Sequence, residues 1–280
     1  MKLTKSLIDE VFTSFCIIAP EKKKCKQVLY YENMITKAIV WVIFLKLIYD
    51  IFKFFRLYNI GISLTARAQK YEQENKDTNS RILIFGDSTA VGTGASNKDL
   101  STVGLLAAKY PSSEIQNFGI NGAKLKDLID IEMPKAKDES ADIVIIQAGA
   151  NDIVRFTKIS EVEKNLKEVI NLAKKKLKSE PACKIIILHS GNIGSCPIFP
   201  FYASYFITKR TRVVRDIYLK IIQEENNKSL EKNIFYVDLF QEKNEDIFLS
   251  DPKKFFASDS FHPGDAGYKY WFDKIYLKLL

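Results

Sequence analysis

Two kinds of hydrophobic pattern divide the chain near residue 80. Before it, apolar residues recur at helical spacing. Leu3, Leu7, Val11, Phe12, Phe15 and Ile18 stand three and four apart, predicting an amphipathic helix that ends at Ala19-Pro20. A basic run comes next at Lys22, Lys23, Lys24 and Lys26, then the most apolar stretch of the chain, unbroken from Ala38 to Leu45 and continuing to about Ile62. After residue 80 the rhythm becomes short apolar runs alternating with helical patterns. Ile82 to Phe85, Glu114 to Phe118, Asp142 to Ala148, Cys183 to His189 and Ile234 to Asp238 read as strands. Leu100 to Tyr110, Ala123 to Lys137, Ser160 to Lys178 with Ser160 as its cap, Ala203 to Asn227 and Ala266 to Leu280 read as helices. Five buried strands alternating with helices predict an α/β fold: a five-stranded parallel sheet covered on both faces.

The polar stretch at residues 66–80 has a linker's composition. It divides the chain into a helical region (1–65), the linker (66–80) and the α/β domain (81–280). Lys46, Asp50 and Lys53 interrupt the apolar segment, and Lys46 can pair with Asp50 one turn later. Such charges cost about 2.5–3.5 kcal/mol each at mid-bilayer, and each large apolar residue returns only about 0.3–0.6. Residues 38–62 therefore span a bilayer, lie in its interface or pack on the protein itself. The crowding of Trp41, Phe44, Phe52, Phe54 and Phe55 favours membrane contact.

Charge agrees with this division. Residues 1–80 hold 13 Lys/Arg against 8 Asp/Glu, and the remainder 29 against 26. A near-neutral body is a poor footprint for nucleic acid, while a basic N-terminal region suits a membrane surface. Asp9 and Glu10 stand where a signal peptide would need an apolar core, so no cleavable leader is expected. The four cysteines lack C-x-x-C spacing and read as free thiols in a reducing compartment, which places the protein on the cytoplasmic side of its membrane. No metal or other cofactor is called for. Oligomeric state is not legible.

The loops beyond the strands carry the chemistry. Gly86-Asp87-Ser88-Thr89 comes after the first, Asn117 to Gly122 after the second and Gly149-Ala150-Asn151-Asp152 after the third, while Asp259-Ser260-Phe261-His262-Pro263 precedes the last helix. In a parallel sheet these loops meet at one edge. Ser88 is the candidate nucleophile, His262 the base that activates it, and Asp259 the group that orients the ring. The N–H groups of Ser88 and Gly122 and the amide of Asn151 can form an oxyanion hole. Asp87 and Asp152 read as carboxylates that brace the nucleophile turn and the Asn151 loop. His189 and Cys196 read as structural rather than reactive residues.

These blocks resemble the SGNH hydrolase superfamily, the GDSL-type esterases and lipases, over about residues 81–280. The serine, glycine, asparagine and histidine of that family's name match Ser88, Gly122, Asn151 and His262, with Gly119 the alternative for the glycine. The first block reads Gly-Asp-Ser-Thr in place of Gly-Asp-Ser-Leu. The resemblance implies a three-layer, flavodoxin-like α/β/α fold, a Ser–His–Asp mechanism and no metal. The aromatic stretch after the fourth strand, with Phe199, Phe201 and Tyr202, is a candidate acyl-pocket lining. Together with residues 38–62 it points to a lipid-derived acyl ester. Removal of acetyl groups from a carbohydrate is the alternative within enzymes. A non-catalytic interaction protein on the same fold is disfavoured, because every catalytic side chain is present.

Overall fold

A computed structural model describes residues 21–75, 78, 80–180, 182–228 and 233–280, with side chains of the first helix described from Tyr30 onward. The helix expected within residues 1–20 lies outside the described residues. Between Lys53 and Phe54 the chain divides into two compact units.

Helix α1, Glu21–Arg67, contains the apolar segment. From Tyr30 to Lys53 most of its large apolar side chains, Trp41, Phe44 and Phe52 among them, are exposed, and Ile48 is half-buried. The Lys46–Asp50 ion pair forms. No helix among the described residues is long and apolar enough to cross a membrane.

The unit from Phe54 to Leu280 is built on five parallel strands, β1 Arg81–Gly86, β2 Glu114–Asn117, β3 Ile143–Gln147, β4 Lys184–Leu188 and β5 Ile234–Val237, in the order β2-β1-β3-β4-β5. The register sets Gly86 against Gln147 and Leu188 against Val237, so the carboxyl ends lie along one edge. Alternate residues face opposite ways. Leu83, Phe85, Val144, Ile146, Ile185 and Ile187 pack with helices α5 (Ile159–Lys176) and α6 (Phe201–Asn227). Ile82, Ile84, Ile145, Ile186 and Leu188 pack with α3 (Thr102–Lys109), α7 (Asp265–Leu279) and Leu57 of α1. Two short helices, α2 (Ser88–Val91) and α4 (Ala150–Val154), start directly after β1 and β3.

Three expectations are corrected. Residues 123–137 form short turns of different pitch rather than one helix. Pro134 cannot donate to a helical ladder, and the Glu132 carboxylate is drawn inward to accept from the Gly86 N–H at 2.8 Å. Helix α5 is capped at Lys158 with no side-chain bond, so Ser160 lies inside it. The stretch read as a linker is also docked: α1 runs to Arg67, and Gln73 pairs antiparallel with Ile115 while its amide donates to the Ser113 carbonyl at 2.6 Å. Residues 71–75 thereby cover the outer edge of β2, whose backbone groups would otherwise be open to another strand.

Candidate active site

The nucleophile turn is set by Gly86. Its φ is +153°, and a Cβ there would lie 2.1 Å from the Gln147 carbonyl oxygen, so no larger residue fits where β1 leaves the sheet beside β3. Asp87 then caps α2, accepting from Thr89 N at 2.9 Å and Thr89 Oγ1 at 2.8 Å. Ser88 opens the helix, and its own N–H, one of the orphan donors of a first turn, has no intrahelical partner.

Ser88 Oγ lies 2.9 Å from His262 Nε2, and His262 Nδ1 lies 2.6 Å from Asp259 Oδ2. With Nδ1 donating to Asp259, Nε2 faces the Ser88 hydroxyl as an acceptor. Asp259 Oδ1 takes the N–H groups of Phe261 and His262, both at 3.0 Å, which locks the carboxylate to the loop that carries the ring. Burial works to raise the Asp259 carboxyl. The hydrogen bond to His262 and that ring's charge, with the two N–H donors, outweigh it and hold the group below the usual carboxylate range. All three side chains are buried.

Asn151 stands in the first turn of α4 and donates through Nδ2 to the Ala123 carbonyl at 3.1 Å. That bond fixes the rotamer of the amide. Gly122, with φ +78°, lies on the loop that ends at Ala123. The N–H of Gly119 is taken by Asn117 Oδ1 at 3.0 Å. Asp152 braces this side, accepting from Leu125 N at 2.9 Å, and burial raises its carboxyl.

A cavity of about 50 Å³ opens beside Ser88, Asn151 and His262. Ile193, Cys196, Leu239, Phe248, Phe261 and Trp271 are among its walls, and Asp246 and Tyr270 also line it. Phe199, Phe201 and Tyr202, the expected pocket lining, are not among its walls. Phe199 packs edge-on against Phe261 from behind, at 6.1 Å between centroids. Phe201 is 84% exposed and Tyr202 is also exposed, because α6 begins at Phe201 and its first turn points both side chains to solvent. Gly122 does not line the cavity either. The residues that do come mostly from the last third of the chain, where the Asp259–Pro263 block alone carries a motif.

Two further buried groups lie close by. Glu132, beneath the nucleophile turn, is pushed up to about 8, chiefly by burial, with the Asp87 charge acting in the same direction. Cys196 is buried, and burial pushes its thiol up, away from a reactive thiolate. His189 packs edge-on against Tyr218 at 5.3 Å and does not line the cavity; its ring is driven toward the neutral form by burial. At the opposite edge of the sheet, Asp142, Glu180 and Cys183 place ligand atoms within 4.8 Å of one another. The Asp142 carboxylate there is already engaged by Lys178 Nζ at 2.8 Å and Arg81 N at 2.7 Å.

A family model described as the GDSL-like Lipase/Acylhydrolase family matches residues 84–270. The chain belongs to this family. It is accordingly a hydrolase acting on ester bonds. Among solved structures, a member of the lipolytic protein G-D-S-L family from Veillonella parvula DSM 2008 is 21% identical with a TM-score of 0.51, over 70% of this chain and 95% of its own. A variant of Axe2, an acetyl xylan esterase from Geobacillus stearothermophilus, is 22% identical with a TM-score of 0.49, over 71% and 94%. The salicylyl-acyltransferase SsfX3 from a tetracycline biosynthetic pathway is 17% identical with a TM-score of 0.50, over 72% and 54%. At these identities the likeness concerns the fold alone. A comparison with curated proteins finds no match.

Proposed function

We propose that this GDSL-family hydrolase is a serine esterase that cleaves short-chain carboxylic esters through an acyl-enzyme on Ser88. The observation that carries the reading is the Ser88–His262–Asp259 relay, with contacts of 2.9 and 2.6 Å, opening on a small apolar cavity.

Ser88 Oγ attacks the ester carbonyl carbon while His262 Nε2 takes its proton, and Asp259 stabilises the imidazolium. The oxyanion is met by the Ser88 N–H, the Asn151 amide and, on carbonyl entry, the Gly122 N–H. The imidazolium returns the proton to the departing alkoxide. Water then attacks the acyl-enzyme, giving its proton to His262, and Ser88 leaves with a proton restored. Asp87 and Asp152 hold the two loops and take no part in bond making.

Cavity size supports a short acyl group. The space beside Ser88 is narrow, about 50 Å³, and walled by the bulky Phe248, Phe261 and Trp271, which favours a compact acyl group such as acetyl, the acetyl ester of a carbohydrate included. A second reading, a lipid-derived ester taken from a membrane, is favoured by the exposed Phe201, Tyr202, Tyr205 and Phe206 and by the exposed apolar side chains of α1. In that reading the chain would work while attached to the cytoplasmic face of a membrane.

Labelling with a fluorophosphonate and mapping the modified residue tests the nucleophile. Modification at Ser88, abolished in Ser88→Ala, is the expected result. Labelling elsewhere, or an active Ser88→Ala enzyme, removes the proposal.

A further inference from the structure

The end of helix α1 lies against the triad, although it stands outside the stretch that matches the family. From Phe54 onward the helix turns one face to the α/β body: Phe54, Leu57, Ile60, Gly61, Leu64 and Thr65 are buried or half-buried, while Phe55, Tyr58, Ile62 and Ser63 are exposed. Three of the inward positions stand one turn apart and meet three parts of the site. Leu57 joins the apolar cluster that holds Phe255 and Phe256. A Cβ built on Gly61 would lie 3.2 Å from Asp259 Oδ2 and 3.7 Å from Asp259 Cβ. The Thr65 carbonyl accepts from Asn121 Nδ2 at 3.4 Å, and Asn121 Oδ1 accepts from Thr93 Oγ1 at 2.7 Å, next to Gly122.

We propose that Gly61 is a positioning residue for the esterase reaction: the helix backbone at this glycine roofs the Asp259 carboxylate and fixes Oδ2 on His262. This rests on the triad reading given above. Oδ1 is held by two backbone N–H groups and Oδ2 by the His262 ring, while Asp259 is only 1% exposed. Water reaching Oδ2 would compete for its lone pairs and let the carboxylate turn. Glycine is the residue that lets a helix approach this closely without a side chain entering the contact. A helix interior otherwise favours alanine, and alanine at position 61 would place its methyl tighter than ordinary van der Waals contact on a carboxylate tied at both oxygens. Either Asp259 moves off the ring, or the helix lifts and admits water.

The test uses the full-length protein and p-nitrophenyl acetate. Gly61→Ala is expected to lower kcat ~3–10-fold and Gly61→Leu ~10²-fold, with KM within about twofold, since misplacement by about 1 Å can cost that much. The acid limb of the kcat–pH profile moves to lower pH, because a displaced carboxylate stabilises the imidazolium less. In an Asp259→Asn background the Gly61→Ala change has no further effect, the non-additivity expected of residues that act through one another. Ile62→Ala, on the exposed face, keeps the wild-type rate. Wild-type kinetics in both Gly61 variants, or an equal fold-loss with and without Asp259, overturns the proposal. Should Gly61→Leu fail to fold, Gly61→Ala with an unchanged circular dichroism spectrum carries the test. An active Ser88→Ala enzyme defeats the esterase reading itself; an inactive Ser88→Ala enzyme beside neutral Gly61 variants defeats only the role of the helix.

Discussion

Asn151 makes one hydrogen bond, to the Ala123 carbonyl, and in the proposed mechanism its second N–H meets the oxyanion. Its replacement by alanine is therefore expected to lower kcat ~10²–10³-fold with little change in KM, the cost of one oxyanion donor. A wild-type kcat would reassign the donor. Ser88→Ala, assayed alongside, is expected to lose ~10³-fold or more. Glu132 makes a different prediction, in stability. Its carboxyl is raised by burial from 4.5 to about 8, so between those values the folded protein holds a proton that the unfolded chain has released. The stability tied to this group is complete below pH 4.5 and is lost as pH rises through about 8. The Tm should fall over that interval, and Glu132→Gln should flatten the fall, while a slope unchanged in the variant would mean that other groups set it. The blocks that carry Ser88, Asp259 and His262 stood out because each is short, local and chemically distinctive, and the structure brings the three side chains within hydrogen-bond reach. Glu132 did not stand out, since nothing in Leu128 to Pro134 reveals that its carboxylate turns inward to the Gly86 N–H.

Parallel strands buried on both faces must be apolar runs, which is why all five were legible to within a residue or two of their observed ends. The region 123–137 misled because its apolar spacing is helical, while Pro134 and the pull on Glu132 break the ladder. At this scale Gly86 is decisive: Gly86→Ala drives a Cβ into the Gln147 carbonyl where β1 and β3 meet, and should destabilise the domain by about 1–3 kcal/mol or more in urea unfolding. An unfolding midpoint equal to wild type would mean that the strands can part at no cost. Phe201 and Tyr202 teach the converse lesson. An aromatic cluster beside a site says nothing of direction, and the start of α6 turns these two outward.

For the whole molecule, the compact catalytic unit begins at Phe54, earlier than the motif blocks indicate. Leu57→Ala, at a position 7% exposed, is expected to cost the α/β unit about 2–3 kcal/mol. A change below about 0.5 kcal/mol, the range of an ordinary surface substitution, would make the helix end dispensable. The small cavity and the exposed apolar surfaces lead to different substrates, and a chain-length series separates them. Acetate and butyrate esters should exceed octanoate in kcat/KM, and a preference for octanoate would favour the lipid reading. Membrane attachment predicts that the full-length protein sediments with vesicles and needs detergent for release; recovery in the soluble fraction would refute it. The amino-acid sequence by itself determined the parallel α/β architecture and singled out the loop blocks whose side chains meet at its edge, because strand burial and loop chemistry are written in consecutive residues. The tertiary structure alone decided which side chains wall the cavity and which helix covers Asp259. Those contacts join positions far apart in the chain, such as Gly61 and Asp259, and packing between distant segments leaves no periodic trace in either.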